Sequence, residues 1–274
     1  MHRFWLVGML GVGLCSVGCG TSDGGALGDG SSGGSGGAVS QTELEIVVSA
    51  SDAAFPHQDQ LASQTPKRIR AGVRMLQLED DQGERFTLFD AQSAATVSYD
   101  AGAFTALGRL SPQAIRPGHY VRARLVQDWS SFDVDAALHQ DDQAQRGVLS
   151  ILQITSDGVS LDGERYDAGD FVHQFSGPGG QGEFSGVLPV PEESHTAGAS
   201  AFVEDGVWAV YFPMDLTLTA GQVGRIDFRA NLDHAFRWTD QDKPGYAQQQ
   251  YDFAPPLYEV VEQFGANRFD VIVH

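Results

Sequence analysis

Cysteine is almost absent from this chain: two residues in 274, Cys15 and Cys19, and none after them. A body without cysteine forms no internal disulfide, holds no thiolate nucleophile and builds no Cys-ligated metal centre. Lysine is nearly missing too, present only as Lys67 and Lys243. With 36 acidic against 17 basic residues, the formal charge is −19. That balance argues against nucleic acid as a partner, because phosphate binding needs Lys and Arg to displace counterions. It argues equally against a polybasic membrane patch. No apolar run reaches the ~20 residues that a bilayer span requires. There is no H-E-x-x-H, Walker loop, EF-hand loop or Cys/His cluster. The histidines are scattered, none at i+2 or i+4 from another, and are read as surface or hydrogen-bonded groups.

What is present begins at the N-terminus. Arg3 is followed by an uncharged apolar run from Phe4 to Leu14, which has the length of a signal-peptide core. Small residues and a cysteine follow. Ser16-Val17-Gly18-Cys19 resembles the lipobox of bacterial lipoproteins, with Gly18 and Cys19 matching and Ser16 standing where leucine is usual. The resemblance implies cleavage before Cys19 and acylation of its thiol. One acyl chain anchors only marginally, whereas two or more hold. Residues 1–18 are thus read as a lipoprotein signal peptide. The Gly/Ser-rich stretch 19–41 is read as a flexible tether, too poor in apolar surface to offset its ordering entropy. A coil of that length spans about 25 Å. Gly28-Asp29-Gly30-Ser31-Ser32-Gly33 and Gly33-Gly34-Ser35-Gly36-Gly37 match dinucleotide and nucleophile-elbow patterns by letter only, since neither follows a strand or opens a helix.

The body, 42–274, is dominated by period-two alternation. Leu44, Ile46 and Val48 share one face of a first strand. Val121, Ala123 and Leu125 point one way, with Arg122 and Arg124 opposite. Trp208, Val210 and Phe212 share a face, and "GRIDFRANLD" sets Ile226, Phe228, Ala230 and Leu232 inward against Asp227, Arg229, Asn231 and Asp233 outward. Asp162-Gly163 and Asp205-Gly206 read as tight hairpin turns. One helix is expected over "PPLYEVVEQFG", from Pro256 to Gly265, with Leu257, Val260, Val261 and Phe264 as its apolar stripe. Two loops are expected, 139–146 and the glycine-rich 175–198. The fold class is therefore all-β: an antiparallel β-sandwich carrying one short C-terminal helix, with 42–138 and 147–274 as an alternative division into halves.

Ser51-Asp52-Ala53, the strand around "VRMLQL" and "IRPGHYVRARLV" occur in the same order as in a bacterial family of secreted β-sandwich lipoproteins of unknown function, which the stretch from Leu44 to Asp128 resembles. "RANLDHAFRWTDQDKPGY" is similar to hypothetical lipoproteins of the myxobacterial type. The resemblance implies a transthyretin-like or immunoglobulin-like sandwich, elaborated, and no established activity.

Few residues carry candidate chemistry. Trp129 lies near Asp133 and Asp135, and Trp238 stands beside an acidic turn; a tryptophan next to carboxylates can stack on a sugar and accept its hydroxyl hydrogen bonds. Asp233, Asp240 and Asp242 supply oxygens of the kind calcium takes, although the following Lys243-Pro244-Gly245 is not a calcium-loop sequence. The expectation is a lipid-anchored envelope protein of the outer membrane that binds or supports something and is not an enzyme. Its partners are then the membrane, through the lipid, and an envelope glycan or protein, with no cofactor unless calcium. Two alternatives stand beside it: a glycan hydrolase using paired acids and a calcium-dependent carbohydrate-binding module.

Overall fold

The computed structural model describes residues 42–140, 143–196 and 198–274. The expected signal peptide, the expected tether and Cys19 lie outside the described residues. Among those described, the chain is all-β. The strands are β1 (Leu44–Ser51), β2 (Ala62–Gln64), β3 (Lys67–Asp80), β4 (Arg85–Ser98), β5 (Phe104–Leu110), β6 (Gly118–Gln140) and β7 (Gln143–Ile154). They continue as β8 (Val159–Leu161), β9 (Glu164–Tyr166), β10 (Asp170–Gly177), β11 (Gly180–Val187), β12 (Glu193–His195), β13 (Ser200–Glu204) and β14 (Val207–Leu218). The last are β15 (Gly224–Asn231), β16 (Phe236–Thr239), β17 (Tyr251–Ala254), β18 (Leu257–Tyr258), β19 (Val260–Gln263) and β20 (Arg268–Val273). No described helix is long and apolar enough to cross a membrane.

The largest sheet is built on β6, a strand of 23 residues. One edge of β6 pairs with β3, from Lys67↔Asp133 to Asp80↔Tyr120. Its other edge pairs first with β14, up to Ala209↔Val126, and then with β7, from Trp129↔Ile154 onward. A second sheet has the order β20-β15-β1-β5. Within it β1 and β15 run parallel, in register from Leu44↔Gly224 to Ser51↔Asn231. The segments 42–138 and 147–274 share both sheets, because β1 pairs with β15 and β6 with β14.

The core lies between these layers. Phe212 of the large sheet meets Phe228 and Phe269 of the second sheet, with ring centroids 6.2 and 4.2 Å apart. Phe132 stacks on Phe264 at 3.6 Å and meets Phe236 at 5.7 Å. Full burial of such side chains is worth roughly 1.5–3 kcal/mol each, which lets the body stand without disulfides.

Both expected Asp-Gly turns are present: Asp162 and Gly163 have φ of 52° and 87°, and Asp205 and Gly206 have 52° and 76°. Positive φ at both central residues is the backbone twist that suits a two-residue hairpin. The expected helix over 256–265 is absent. Its residues form β18 and β19, and Val261 pairs with Trp238 of β16. The apolar stripe does not act as one face, since Leu257 is 62 % exposed while Val261 and Phe264 pack on the core. Two turns are marginal as a helix, and paired β-branched valines favour a strand. The loop expected at 175–198 is largely strand. β10 and β11 fold back with Gly177↔Gly180 in register around Pro178-Gly179.

Candidate functional site

The site arises from a fork in the large sheet. β14 and β7 occupy the same edge of β6 in succession, and they part company between Val126 and Trp129. Gln127 and Asp128 therefore lack a ladder partner on that edge. Thr155 supplies one: its N–H donates to the Asp128 carbonyl at 2.8 Å and its hydroxyl to the Gln127 carbonyl at 2.7 Å. Ser156 completes the closure by donating to the Asp128 carboxylate at 2.8 Å.

Over the inner face of this fork lies a cavity of about 310 Å³, within the size range of small-molecule sites. Ile69 and Ala71 of β3, Leu125 and Ser130 of β6, and Trp208 and Val210 of β14 form its floor. Ala230, Leu232, the 261–266 turn and Phe269 form its roof. The walls are mostly apolar, broken by polar side chains that include Gln127, Gln153 and Gln263 as well as Tyr99, Ser130 and Trp208. Tyr99, Ser130 and Trp208 are only 8 %, 8 % and 9 % exposed. All three line the cavity, but none of their polar atoms is a buried orphan: among the described residues those are His173 Nδ1, Arg237 Nε, Trp238 Nε1, Asp240 Oδ1 and Asn267 Oδ1. The Tyr99 N–H donates to the Ile69 carbonyl at 2.8 Å, and Ser130 faces Ala71 in register. Burial pushes the Tyr99 hydroxyl pKa up, so the group stays protonated. The charged residues of the lining are Arg70 and Glu262, both exposed.

The residues singled out by sequence fall elsewhere. Trp129, Asp133 and Asp135 alternate along the outward side of β6, opposite the core residues Phe132 and Val134. Trp129 is 6 % exposed and covers Gly72, where an added Cβ would lie 2.0 Å from the indole nitrogen. Asp133 is paired with Arg68 at 2.8 Å and Asp135 with Lys67 at 2.7 Å. Trp238 is in the core between Phe236 and Tyr251, with no exposed face. Asp135 also borders a polar depression of about 570 Å³, together with Gln64, Arg146, Gln249 and Gln250. The Gln64 amide accepts from the Asp135 N–H at 2.8 Å and donates to its carbonyl at 3.0 Å.

The three aspartates read as calcium candidates serve different loops. Asp233 accepts from the Phe55 N–H at 2.9 Å, and Asp240 from the Gln249 N–H at 2.7 Å. Among the described residues no three metal-ligating side chains are grouped to hold an ion.

One buried carboxyl has the raised pKa that a general acid would need. Glu259 is held above its usual range by burial, with Asp240 and Asp252 adding to the effect. Both its oxygens are already occupied, by the N–H groups of Gln241 at 2.7 Å and Asp252 at 2.8 Å. It lines neither the cavity nor the polar depression. Asp252, bonded to His139 at 2.6 Å and to the Ala247 N–H at 3.0 Å, belongs to the same loop fastening.

The outer face of the fork carries a separate charged network. Glu204 accepts from Arg124 at 2.7 Å, Tyr211 at 2.7 Å and Arg85 at 3.1 Å. Burial alone would raise its pKa, but these hydrogen bonds hold it down at about 2. Arg122 and Arg85 also bond Glu79. The network is satisfied internally and leaves no free group for chemistry.

Comparison with protein-family models, with curated proteins and with solved structures finds no match to this chain.

Proposed function

We propose that this chain is a lipid-anchored protein of the cell envelope whose β-sandwich binds a small, mostly apolar molecule without transforming it. The anchor is Cys19, and the residue after it, Gly20 instead of aspartate, favours the outer membrane. The supporting observation is the cavity at the strand fork, mostly apolar and bordered by the polar groups of Tyr99, Ser130 and Trp208. A ligand that enters covers these groups, and one then left unsatisfied would cost about 1–3 kcal/mol, which favours a ligand with a matching polar atom. The hydrolase alternative is weaker, because Glu259, the one described carboxyl with a raised pKa, is spent on backbone N–H groups.

The test is thermal unfolding of the chain carrying Cys19→Ser against a panel of apolar and polar small molecules. A ligand at a hundred times its Kd stabilises by about 2.7 kcal/mol, so apolar members of the panel raise the midpoint by several degrees. Ala201→Phe places a ring in the cavity and abolishes the shift. A panel with no shift at all refutes the proposal.

A second reading, a glycan-binding surface without calcium, draws on the polar depression at Asp135, Arg146 and the three glutamines. Carboxylate and amide groups are suited to sugar hydroxyls. Retention on immobilised envelope glycan that is lost in Asp135→Ala supports it; no retention removes it.

A further inference from the structure

We infer that the cavity takes an uncharged molecule of about two fused rings that carries a single hydroxyl or carbonyl oxygen. This rests on the binding reading above and adds the ligand's chemical class.

Size comes first. An apolar protein cavity of roughly 150 Å³ holds one benzene ring, and this one measures about 310 Å³. Two rings therefore fit where a long acyl chain would protrude.

Charge comes second. An ion taken out of water without a partner pays a large desolvation penalty. The only charged residues of the described lining, Arg70 and Glu262, are both exposed to water. Arg70 alternates along β3 with buried Ile69 and Ala71 and is itself exposed. Glu262 is also exposed, and its carboxylate accepts from the Thr239 hydroxyl at 2.7 Å. An anionic ligand further meets a chain of net charge −19.

The polar complement comes third. The Trp208 indole can only donate, while the Tyr99 and Ser130 hydroxyls can donate or accept. The protonated state of Tyr99 keeps it a donor. The matching ligand group is an oxygen acceptor, which a hydroxyl or carbonyl provides. The three groups come from successive parts of one surface. Tyr99 is beside Ile69, Ser130 is opposite Ala71, and Trp208 precedes the Ala209↔Val126 pair. One ligand edge can address them while the rings fill the apolar remainder.

The experiment compares three probes of one shape, 2-naphthol, naphthalene and 2-naphthoate, by calorimetric titration of the full chain carrying Cys19→Ser. The expected order is 2-naphthol first, naphthalene about fivefold weaker and 2-naphthoate weaker than either. Tyr99→Phe lowers 2-naphthol affinity about fivefold and leaves naphthalene unchanged. Ser130→Ala gives a second reading of the same effect if the tyrosine variant folds poorly. Ala201→Phe abolishes binding of all three. If naphthoate binds as well as naphthol, or if both hydroxyl deletions leave naphthol unaffected, the ligand class is overturned while binding at the cavity stands. If no probe binds, or if Ala201→Phe changes nothing, the binding reading falls with it.

Discussion

His173 makes the fold acid-sensitive as the pH falls from 6.5 to about 4. It lies on β10 and is 8 % exposed, with Phe171 and Tyr258 packed around it at 4.7 and 5.4 Å and Ile151 and Phe184 on the flanking strands. None of these groups is charged, and its Nδ1 has no hydrogen-bond partner. Burial lowers its pKa from 6.5 to about 4. The folded state therefore keeps the ring neutral while the unfolded chain protonates it near 6.5. Stability is intact above that pH, declines as the pH falls from 6.5 to 4, and levels off below. At about 1.4 kcal/mol per pH unit, the decline is about 3 kcal/mol. His173→Phe keeps an aromatic ring in place and removes the titration. Urea unfolding of the Cys19→Ser chain, followed by tryptophan fluorescence, measures both proteins at several pH values. The stability difference between parent and variant is expected to change by about 3 kcal/mol across the window, in favour of the variant at low pH. Parallel stability curves would refute the burial argument.

Three other outcomes follow from the packing. Gly72→Ala drives a methyl group into the Trp129 indole and is expected to lower stability by at least 2 kcal/mol, since overpacking typically costs 1–3 kcal/mol and the tryptophan is itself buried; an unchanged urea midpoint counts against it. Glu204→Gln leaves the buried Arg124 without its carboxylate and is expected to destabilise by about 2 kcal/mol at neutral pH. Because Glu204 is held at about 2 in the folded state, its contribution is present above its ordinary 4.5 and fades as the pH falls toward 2; the variant loses that acid dependence, as an acid titration of far-UV circular dichroism reads. Cys19→Ser is expected to move the protein from the membrane fraction to the soluble fraction on cell fractionation, and mass spectrometry of the parent's N-terminal peptide is expected to find the thioether-linked lipid.

Alternation told which side chains share a face, and there the reading held. Ile226, Phe228 and Ala230 do face the core from β15. It did not tell whether the opposite face is covered. Asp227 and Asn231, read as outward, are 4 % and 2 % exposed. Asp227 accepts from the Ser49 hydroxyl of neighbouring β1 at 2.6 Å, and the Asn231 side chain donates to the Ala53 carbonyl at 2.8 Å. Arg124, also read as outward, is 5 % exposed and bonded to Tyr211 at 3.0 Å. A second layer of loops and side chains lies over these faces, and no local period encodes it. The cavity was beyond reach for the same reason. It exists because β7 ends where β14 begins along one strand, and Thr155 and Trp208, which both line it, are far apart in the sequence. Trp208 was visible as one member of an apolar face, without any sign that it lines a cavity.

The central position of β1 decides how the body carries load. The strand is flanked by β15 and β5, and the chain that precedes it leads back to Cys19. Tension applied through that chain along the strand axis must shear both ladders at once. It cannot peel a single edge open one bond at a time. If Cys19 is the point of attachment, as proposed, a pull through the N-terminus meets the mechanically stronger direction of a sheet.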